Sequence, residues 1–482
     1  MSSDDLIDTV LGRLGRYQAV IIFLVILGRA PTEFQLVNVV FLLPNPEYVC
    51  LDDGAGNATN FCPCKNPQYN TDTVMSSVSS QFNLICDRLH LASFGQSMLQ
   101  GGILVGSVLY GYISDRYGRK MSCLLSLITE VIFVAISAAV TEFWMFAICR
   151  FLIGASVGGS MLCTYVMLIE LLGKAYRHYL PGLAEMVYVI CYLLLPVIAY
   201  FLSDWKHLQL VTSLPWAFVL LYYFVIPESP RWLITMGRKK EATDILVNMA
   251  KRQNMPTENI EALVDKTYEE LVKNDENQHA TYIDLFKTPK IRMYTLMTSF
   301  VWMCCSLSFF GVNQYIGRLQ GNIYLNLLLS ATSLIPGLIL VVLASYYLGR
   351  RVSLIISFSV AAISLLLFLV IPKSMGGLIL AFAIIGLVGA HASFVQVYLH
   401  TSEIFPTVVR NSAMGLASVF ARIGGFIAPF VVNIGTEWIT IAIFSVLAFC
   451  AGFVCLFLPD TKNRQLPNTI AQTEAQNADV KS

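Results

Sequence analysis

Long apolar segments alternate with shorter polar ones along almost the whole chain. In the first half, the apolar runs cover residues 17–43, 91–114, 121–140, 143–169, 179–201 and 208–226. In the second half, they cover 291–312, 323–347, 352–371, 378–399, 408–434 and 439–458. Each run is long enough for an α-helix to cross a bilayer, which takes about 20 residues, and none alternates like a barrel strand. The pattern predicts an all-α polytopic membrane protein with twelve transmembrane helices.

The composition agrees with this prediction. Of the 482 residues, 56% are hydrophobic and only 13% are charged, which leaves too few polar side chains to cover a soluble protein. The 32 lysines and arginines balance 31 aspartates and glutamates, so the chain has no overall basic field for nucleic acid. We therefore expect the lipid bilayer as its surroundings and no nucleic-acid partner.

Basic residues of the short connections fall on one side of the predicted membrane. They are Arg13, Arg16, Arg116, Arg119, Lys120, Lys174, Arg177, Arg350, Arg351 and Arg410. Short cytoplasmic loops are enriched in lysine and arginine, so this side, which also holds both termini, is predicted to be cytoplasmic. The connection 44–90 is then extracellular and 227–290 is cytoplasmic. The first run follows an acidic start and is too long for a signal-peptide core, so we expect it to be retained as the first helix.

The extracellular connection has features typical of an oxidising, glycosylating compartment, which favours the plasma membrane. It contains Cys50, Cys62, Cys64 and Cys86, and the glycosylation sequon Asn57, Ala58 and Thr59. Cys62 and Cys64 would be strained as partners, so each is expected to pair with Cys50 or Cys86, and both connectivities stay open. A metal site is the alternative, and the lone C-x-C pattern without a nearby histidine disfavours it.

Charged motifs recur between the two halves at an offset of about 231 residues. Gly118, Arg119 and Lys120 recur as Gly349, Arg350 and Arg351; Glu170 and Arg177 recur as Glu403 and Arg410; Pro227, Glu228 and Arg231 recur as Pro459, Asp460 and Arg464. Three matches at nearly one offset indicate an internal duplication. Duplicated six-helix halves are a transporter architecture, with the substrate near the membrane midplane.

The duplication predicts the domain bounds. We expect an N-terminal six-helix bundle over 1–226, which includes the extracellular loop 44–90, and a C-terminal bundle over 291–458. The linker 227–290 is predicted to form short amphipathic cytoplasmic helices. The tail 459–482 is polar beyond Leu466, where we expect disorder, and we expect the chain to be a monomer.

The turn after the second run resembles the G-x-x-x-D-R-x-G-R-[RK] signature of the major facilitator superfamily. The matching residues are Gly111, Asp115, Arg116, Gly118, Arg119 and Lys120. The resemblance implies two six-helix bundles and a motif whose charges bridge neighbouring helix ends and keep the cytoplasmic side shut in the outward-open state. We assign the same gating role to the recurring charges at 170, 177, 228, 231, 349–351, 403 and 410. A turn that only marks the cytoplasmic side is the alternative, and it does not explain Asp115 or the glycines.

Nearly the whole chain is similar to the organic cation, organic anion and carnitine transporters, solute carrier family 22. The segments that carry this resemblance are FNLICD at 82–87, PESPRWL at 227–233, TSEIFPTVVRN at 401–411 and PDTKNRQLP at 459–467. Sugar porters share parts of the second and fourth segments but not the long cysteine-bearing loop. The resemblance implies a carrier of small organic ions, driven by a coupling ion or by exchange. We expect no enzyme, no cofactor and no metal, since no catalytic constellation and no G-x-x-x-x-G-K-[ST] loop is present.

Ionisable residues inside the predicted helices are candidates for substrate contact, because each is costly in a bilayer. Arg422 lies near the middle of the eleventh run. In the resembling family this position tends to be Asp in cation carriers and Arg in anion and carnitine carriers. A guanidinium can bind a carboxylate through two hydrogen bonds, so Arg422 favours an anionic or zwitterionic substrate. A structural arginine paired with an acid is the alternative.

Two leucines of the eighth run narrow the expected substrate class. Leu334 stands where cation carriers of the family resemble V-E-I-P-G, so their acid is missing here. Leu338 stands near the place of a lysine found in many anion carriers, which disfavours a plain dicarboxylate. One basic residue with nearby acids better suits a zwitterion, either carnitine-like or derived from an amino acid.

Further candidates have structural alternatives. Glu33 either contacts substrate or neutralises Arg29, four residues before it, and Glu185 either pairs with an arginine of another helix or binds an ammonium group. For His391 we favour a hydrogen bond to a neighbouring helix over a pH-sensitive step. Arg150 is assigned to pairing between helices. The aromatic residues Tyr188, Tyr192, Phe309 and Phe310 either cage a quaternary ammonium or simply pack.

Three hypotheses follow. The first is an alternating-access carrier of organic anions or zwitterions, and the second is an organic cation carrier in which Glu33 or Glu185 replaces the missing acid. The third, of another class, is a non-transporting sensor or scaffold that retains the fold. The complete set of gating charges disfavours the third, because a protein that no longer cycles between conformations has no need of them.

Overall fold

The computed structural model describes residues 11–12, 15–52, 59–71, 75–173, 176, 180–253, 255–275, 282–319, 321–372, 374–462 and 470–475. These residues belong to two compact units. The first unit is drawn from Met1–Asn38, Gly102–Leu195 and Lys206–His279, and the second from Val39–Gly101, Pro196–Trp205 and Ala280–Ser482. Each unit is described by itself below.

Helices dominate the chain up to the linker. They are α1 Arg16–Leu27, α2 Ala30–Val37, α3 Val39–Leu42, α4 Val78–Gln81, α5 Leu89–Tyr117, α6 Arg119–Ala139, α7 Phe143–Leu171, α8 Leu180–Phe201, α9 Trp205–Ser213 and α10 Tyr222–Val225, with 3-10 turns at Cys86–Arg88 and Leu214–Leu221. The first predicted run therefore contains three successive helical segments, with Pro31 in the first turn of α2. The sixth run is helical at both ends and 3-10 in the middle.

The linker and the second half are also helical. The helices are α11 Pro230–Thr235, α12 Lys239–Arg252, α13 Ile260–Asp275, α14 Asp284–Lys287, α15 Pro289–Ile316, α16 Ile323–Leu348, α17 Arg350–Val370, α18 Gly376–Ile404, α19 Thr407–Val432, α20 Glu437–Cys455 and α21 Ile470–Ala475. Within the described residues, nine helical spans are long and apolar enough to cross a membrane. Each of the twelve predicted runs contains at least one helix. A helix suits a bilayer because its backbone groups satisfy one another's hydrogen bonds where water is absent.

A glycine in the left-handed region immediately precedes the helix at the recurring Gly-Arg motif in each half. Gly118, with φ of 112°, precedes α6, and Gly349, with φ of 92°, precedes α17. Glycine adopts these angles without the steric cost that a Cβ brings. A Cβ on Gly349 would also lie 3.0 Å from Asp460 Oδ2, and one on Gly118 would overlap the Glu228 carboxylate. Both turns therefore need glycine for conformation and for space.

The segment between α3 and α5 contains a small sheet held by disulfides. Strand β1, Tyr48–Cys50, pairs antiparallel with β2, Pro67–Tyr69, with Tyr48 opposite Tyr69. Cys50 is bonded to Cys64, and Cys62 to Cys86. This is one of the two connectivities that the sequence left open. The sequon residue Asn57 lies outside the described residues.

The first three linker helices, α11 to α13, belong to the first unit. Trp232 and Leu233 of α11, Leu246 of α12 and Val264 of α13 belong to one buried cluster with residues of α1, α6 and α7. Lys239 Nζ lies 2.8 Å from Asp265 Oδ1 and ties α12 to α13. Helices α11 to α14 occupy much of the described part of this linker.

The expectation of disorder beyond Leu466 is wrong for part of the tail. Helix α21 lies against the start of α15, where Glu474 Oε1 accepts a hydrogen bond of 3.0 Å from the Lys290 backbone N–H. Ile470 packs on the buried cluster of the second unit. A helix start leaves backbone N–H groups without partners, and Glu474 provides an acceptor for them.

We expect the Cys50→Ser variant to expose one new thiol, that of Cys64, to a membrane-impermeant maleimide. The bonded partner is set free on the side of the membrane where the loop lies. Mass spectrometry of the labelled peptide identifies the thiol. The double variant Cys50→Ser/Cys64→Ser is the control and should add no label, whereas a label on Cys62 would contradict the observed pairing.

Candidate functional site

An arginine joins two helix ends in the first unit. Arg119, the first residue of α6, has Nη2 at 3.1 Å from Glu170 Oε1 near the end of α7. Its Nη1 lies 2.5 Å from Asp115 Oδ1 in the last turn of α5. The Asp115 side chain is 76% exposed, so the contact with the mostly buried Glu170 is the stronger of the two. Arg119 therefore ties the ends of α5 and α7 to the start of α6.

A partly buried glutamate caps the start of α6. Glu228 Oε1 accepts hydrogen bonds from the backbone N–H groups of Arg119 and Lys120, each at 3.0 Å, and of Ser229 at 2.9 Å. The carboxylate also lies at the positive end of the helix dipole. Burial nevertheless raises the pKa of Glu228. Trp232 Nε1 donates to the Asp115 carbonyl at 2.8 Å, which fixes the same segment on the end of α5.

The second unit repeats this arrangement. Arg350 Nε lies 3.2 Å from Glu403 Oε2, and its Nη1 donates to the Ser345 carbonyl at 3.0 Å. Asp460 occupies the place next to Gly349 that Glu228 occupies next to Gly118. Tyr346 stands at the position of Asp115, so the second unit lacks that acid. The two units thus share a charged helix-end cluster in which one arginine contacts one glutamate.

The other predicted gating residues lie in the same two regions. Arg116 Nη1 donates to Tyr112 Oη at 2.7 Å, Arg410 Nε donates to the Phe405 carbonyl at 3.3 Å, and Arg351 donates to the Leu456 carbonyl. Gly111 lies within α5, where a Cβ would come 3.2 Å from Leu162 Cδ2. Arg231 is the second residue of α11, and Arg177 lies outside the described residues.

The acid of the first run is already neutralised. Glu33 and Arg29 form a buried ion pair, with Arg29 Nη2 at 2.6 Å from Glu33 Oε1. The two side chains are 2% and 8% exposed, so little water competes for this contact. Of the two interpretations given to Glu33 by the sequence, the pair with Arg29 is the one present in this conformation.

Glu185 and the predicted tyrosines lie together on α8. The rings of Tyr188 and Tyr192 are 5.9 Å apart, and both side chains are buried. Glu185 is partly exposed and acts electrostatically on both Tyr188 and Glu33. The structure therefore brings Glu33, Glu185 and Tyr188 into one polar region of the first unit.

Phenylalanines and a histidine form an aromatic cluster between α15 and α18 in the second unit. Phe309 lies 5.2 Å from Phe310, 5.3 Å from His391 and 5.6 Å from Phe394, measured between ring centroids. Tyr398 extends the cluster at 5.7 Å from Phe394. The sequence singled out Phe309, Phe310 and His391, whereas Phe394 and Tyr398 became apparent only from the packing of α18.

Arg422 lies within α19, well away from both ends of that helix. By sequence, it is the only Asp, Glu, Lys or Arg within the central parts of the last six runs. Its side chain is partly buried, and no described residue forms a hydrogen bond or ion pair with it. Gly424, two residues later, packs directly on the backbone of Met303 in α15. No acid among the described residues pairs with Arg422, so the structural alternative finds no support there.

The first unit contains two further buried ionisable residues, of which the sequence analysis named only Arg150. Glu130 of α6 is fully buried and accepts a hydrogen bond of 2.8 Å from Thr32 Oγ1. Arg150 of α7 is fully buried and donates to Gln35 Oε1 at 3.3 Å, which matches its assignment to contacts between helices. The rule that singled out Arg422, an ionisable residue in the middle of an apolar run, would also have found Glu130.

Known structures of membrane transporters share the fold of this chain. An inward-open form of the xylose transporter XylE from E. coli superposes with a TM-score of 0.70 at 17% identity, over 95% of this chain and 99% of that one. A partially occluded inward-open form gives 0.68 at 18% identity, over 94% and 100%. The fold is thus the twelve-helix fold of the major facilitator superfamily, as the sequence predicted.

Sequence comparison identifies the family. The family model described as "Sugar (and other) transporter" matches residues 64–470. An organic cation transporter protein of Drosophila melanogaster is 33% identical over 98% of this chain and 95% of its own length. Solute carrier family 22 member 3 of Rattus norvegicus is 33% identical over 86% and 74%, and organic cation/carnitine transporter 2 of Homo sapiens is 28% identical over 98% and 94%. The chain belongs to the sugar (and other) transporter family and, within it, to solute carrier family 22, so it is a multi-pass membrane transporter of small molecules.

We expect Glu228→Ala to lower the stability of the protein by about 1–3 kcal/mol, because it leaves partly buried backbone N–H groups at the start of α6 without an acceptor. Thermal unfolding in detergent measures the change. Glu228→Gln keeps an acceptor at this place and removes a charge that burial disfavours, so it should unfold close to the wild type.

Glu241→Ala is the matched control. Glu241 forms an ion pair of 2.7 Å with Arg238, and both side chains are about half exposed, so its loss should change stability little. Equal effects of Glu228→Ala and Glu241→Ala would contradict the capping role of Glu228.

Proposed function

We propose that this transporter moves small organic anions or zwitterions, carnitine-like or derived from amino acids, by alternating access. The carrier acts in the plasma membrane as a monomer with both termini in the cytoplasm, driven by a coupling ion or by exchange. The observation that carries this proposal is Arg422, a cation at membrane depth that no described side chain neutralises. The substrate carboxylate supplies the missing negative charge.

The contrast with Arg29 and Arg119 supports this role for Arg422. Arg29 and Arg119 each form an ion pair with a carboxylate of the chain itself. An unpaired guanidinium in a bilayer is costly, and its fork of N–H donors matches a carboxylate in a bidentate geometry. A structural role would be better served by a paired arginine, so we assign Arg422 to substrate binding.

The aromatic cluster of the second unit suits the other end of a zwitterion. Phe309, Phe310 and Phe394 present ring faces and edges within 5.2–6.4 Å of one another, measured between centroids. Aromatic faces attract ammonium groups without requiring a negative residue. The same helix α15 carries Phe309 and Phe310 and contacts α19 beside Gly424. A carboxylate at Arg422 and an ammonium at these rings would both be bound by this unit.

The names of the relatives favour a second candidate, an organic cation carrier. The relatives from Drosophila melanogaster and Homo sapiens are named for organic cations or for organic cations and carnitine. In this alternative, Glu185 attracts the cation, because Glu33 is bonded to Arg29. The anion or zwitterion carrier needs the charge of Arg422 to bind its substrate, whereas the cation carrier does not.

We also propose that the two charged helix-end clusters act as gates. Arg119 with Glu170, and Arg350 with Glu403, stabilise the conformation in which their helix ends lie together. Ion pairs that are only partly buried cost little to separate, so they can break and form again in each transport cycle. This role accounts for the same geometry in both units.

We expect Arg422→Ala to weaken uptake of carboxylate-bearing substrates about 30-fold or more in apparent affinity, as the loss of one partner of a desolvated charge pair does. Arg422→Lys keeps the charge but not the bidentate fork, so it should fall between wild type and alanine. Uptake of labelled carnitine, an aromatic carboxylate and a permanent organic cation is measured in cells at matched surface expression.

Arg238→Ala provides the matched control, because Arg238 is an exposed arginine of the cytoplasmic linker. It should leave uptake of every probe unchanged. If the wild type carries the permanent cation alone, and Arg422→Ala leaves that flux intact, the anion and zwitterion proposal is wrong and the cation candidate replaces it.

A further inference from the structure

Glu130 is a carboxyl group in an unusual environment. It lies in the middle of α6, and its side chain is fully buried. Thr32 Oγ1 donates to Oε2 at 2.8 Å and lies 2.9 Å from Ser160 Oγ on α7. Among the described residues, Oε1 has no hydrogen-bond partner and no cation pairs with the carboxyl group.

The charged groups around Glu130 do not compensate a negative charge there. Glu33 of α2 acts on it electrostatically with the same sign and is bonded to Arg29. Arg150 of α7 is bonded to Gln35, one turn after Thr32 on α2. The 3-10 helix Leu214–Leu221 contains no ionisable residue, and α10 brings Tyr222 near Cys123, two turns before Glu130.

An ionised carboxylate in such a place is costly, whereas a neutral carboxylic acid with one unpaired O–H costs far less. This environment therefore favours the neutral acid of Glu130. We propose that Glu130 is a proton-binding site that couples transport of the substrate to an inward proton gradient. The proposal rests on the carrier function proposed above and adds its coupling ion.

The chemistry is a simple acid–base step. The carboxylate of Glu130 takes a proton from water on the extracellular side, forming the O–H bond, and returns it to water on the cytoplasmic side. Thr32 donates its hydrogen bond to the carboxyl group and therefore favours the charged form. Since Thr32 and Gln35 lie on one helix, a movement of α2 displaces the contacts of Glu130 and Arg150 together.

Infrared spectroscopy of the purified protein tests the proton site without any need for flux. We expect the difference spectrum of wild type minus Glu130→Gln to show the C=O band of a protonated carboxylic acid at neutral pH. Glu142→Gln is the matched control, because Glu142 is an exposed acid before α7 and should give only a carboxylate band. A carboxylate band for Glu130 would overturn the proposal.

Flux in proteoliposomes tests the coupling. With the membrane potential clamped, a gradient of one pH unit can drive accumulation of substrate up to about tenfold at one proton per substrate. Glu130→Gln imitates the protonated acid permanently, so it should lose this accumulation and keep exchange of labelled for unlabelled substrate. Glu142→Gln should retain both activities.

Thr32→Val gives an independent readout. Loss of the hydrogen bond that favours the charged form should move the pH midpoint of wild-type uptake upward, and Thr32→Ser should restore it. A midpoint that does not move would contradict the role of Thr32 in positioning the proton.

The remaining outcomes are distinguishable. Accumulation that follows a sodium gradient and not the proton gradient would overturn the proposal. Proton-driven accumulation that survives in Glu130→Gln would overturn it as well. If the wild type moves none of the probes, even by exchange, the carrier proposal fails, and the infrared band alone then decides whether Glu130 binds a proton.

Discussion

The absence of water from the bilayer interior governs this structure. Backbone groups satisfy one another within helices, and an ionisable side chain must find a partner or remain costly. Arg29 finds Glu33, Arg119 finds Glu170 and Arg350 finds Glu403. Arg150 has no described acid as a partner and donates a hydrogen bond to Gln35 instead. Arg422 and Glu130 also lack a described partner of opposite charge, and we propose that a substrate carboxylate and a proton supply it.

The internal duplication shows which contacts both halves retain. A glycine in the left-handed region, an arginine on a glutamate and an acid against the glycine occur in each unit. Asp115 has no counterpart, since Tyr346 stands in its place. The shared part of the cluster fixes a helix start to the end of another helix. Such a joint suits rigid-body movement of whole helices, because it holds their ends together.

Hydrophobic runs predict the helical spans well, because length and apolarity are imposed directly by the membrane. The glycine and charge spacing of the motifs likewise indicated the helix ends at Arg119 and Arg350. The partners of side chains on different helices cannot be predicted in this way. Whether Glu33 pairs with Arg29, and that Phe394 joins Phe309, depends on rotamers and on packing between helices, which spacing does not encode. The docking of α21 through Glu474 was missed because a short polar tail carries no periodic apolar pattern.

The two uncompensated groups complement each other chemically. In the proposed cycle, a substrate carboxylate neutralises Arg422 and a proton neutralises Glu130. Binding of both removes two uncompensated charges from the described spans, whereas binding of either alone leaves one. Movement of a charge through an apolar environment is what a carrier must avoid when its helices rearrange. In the proposed cycle, the fully loaded carrier therefore rearranges more easily than a half-loaded one, which favours movement of the substrate and the proton together.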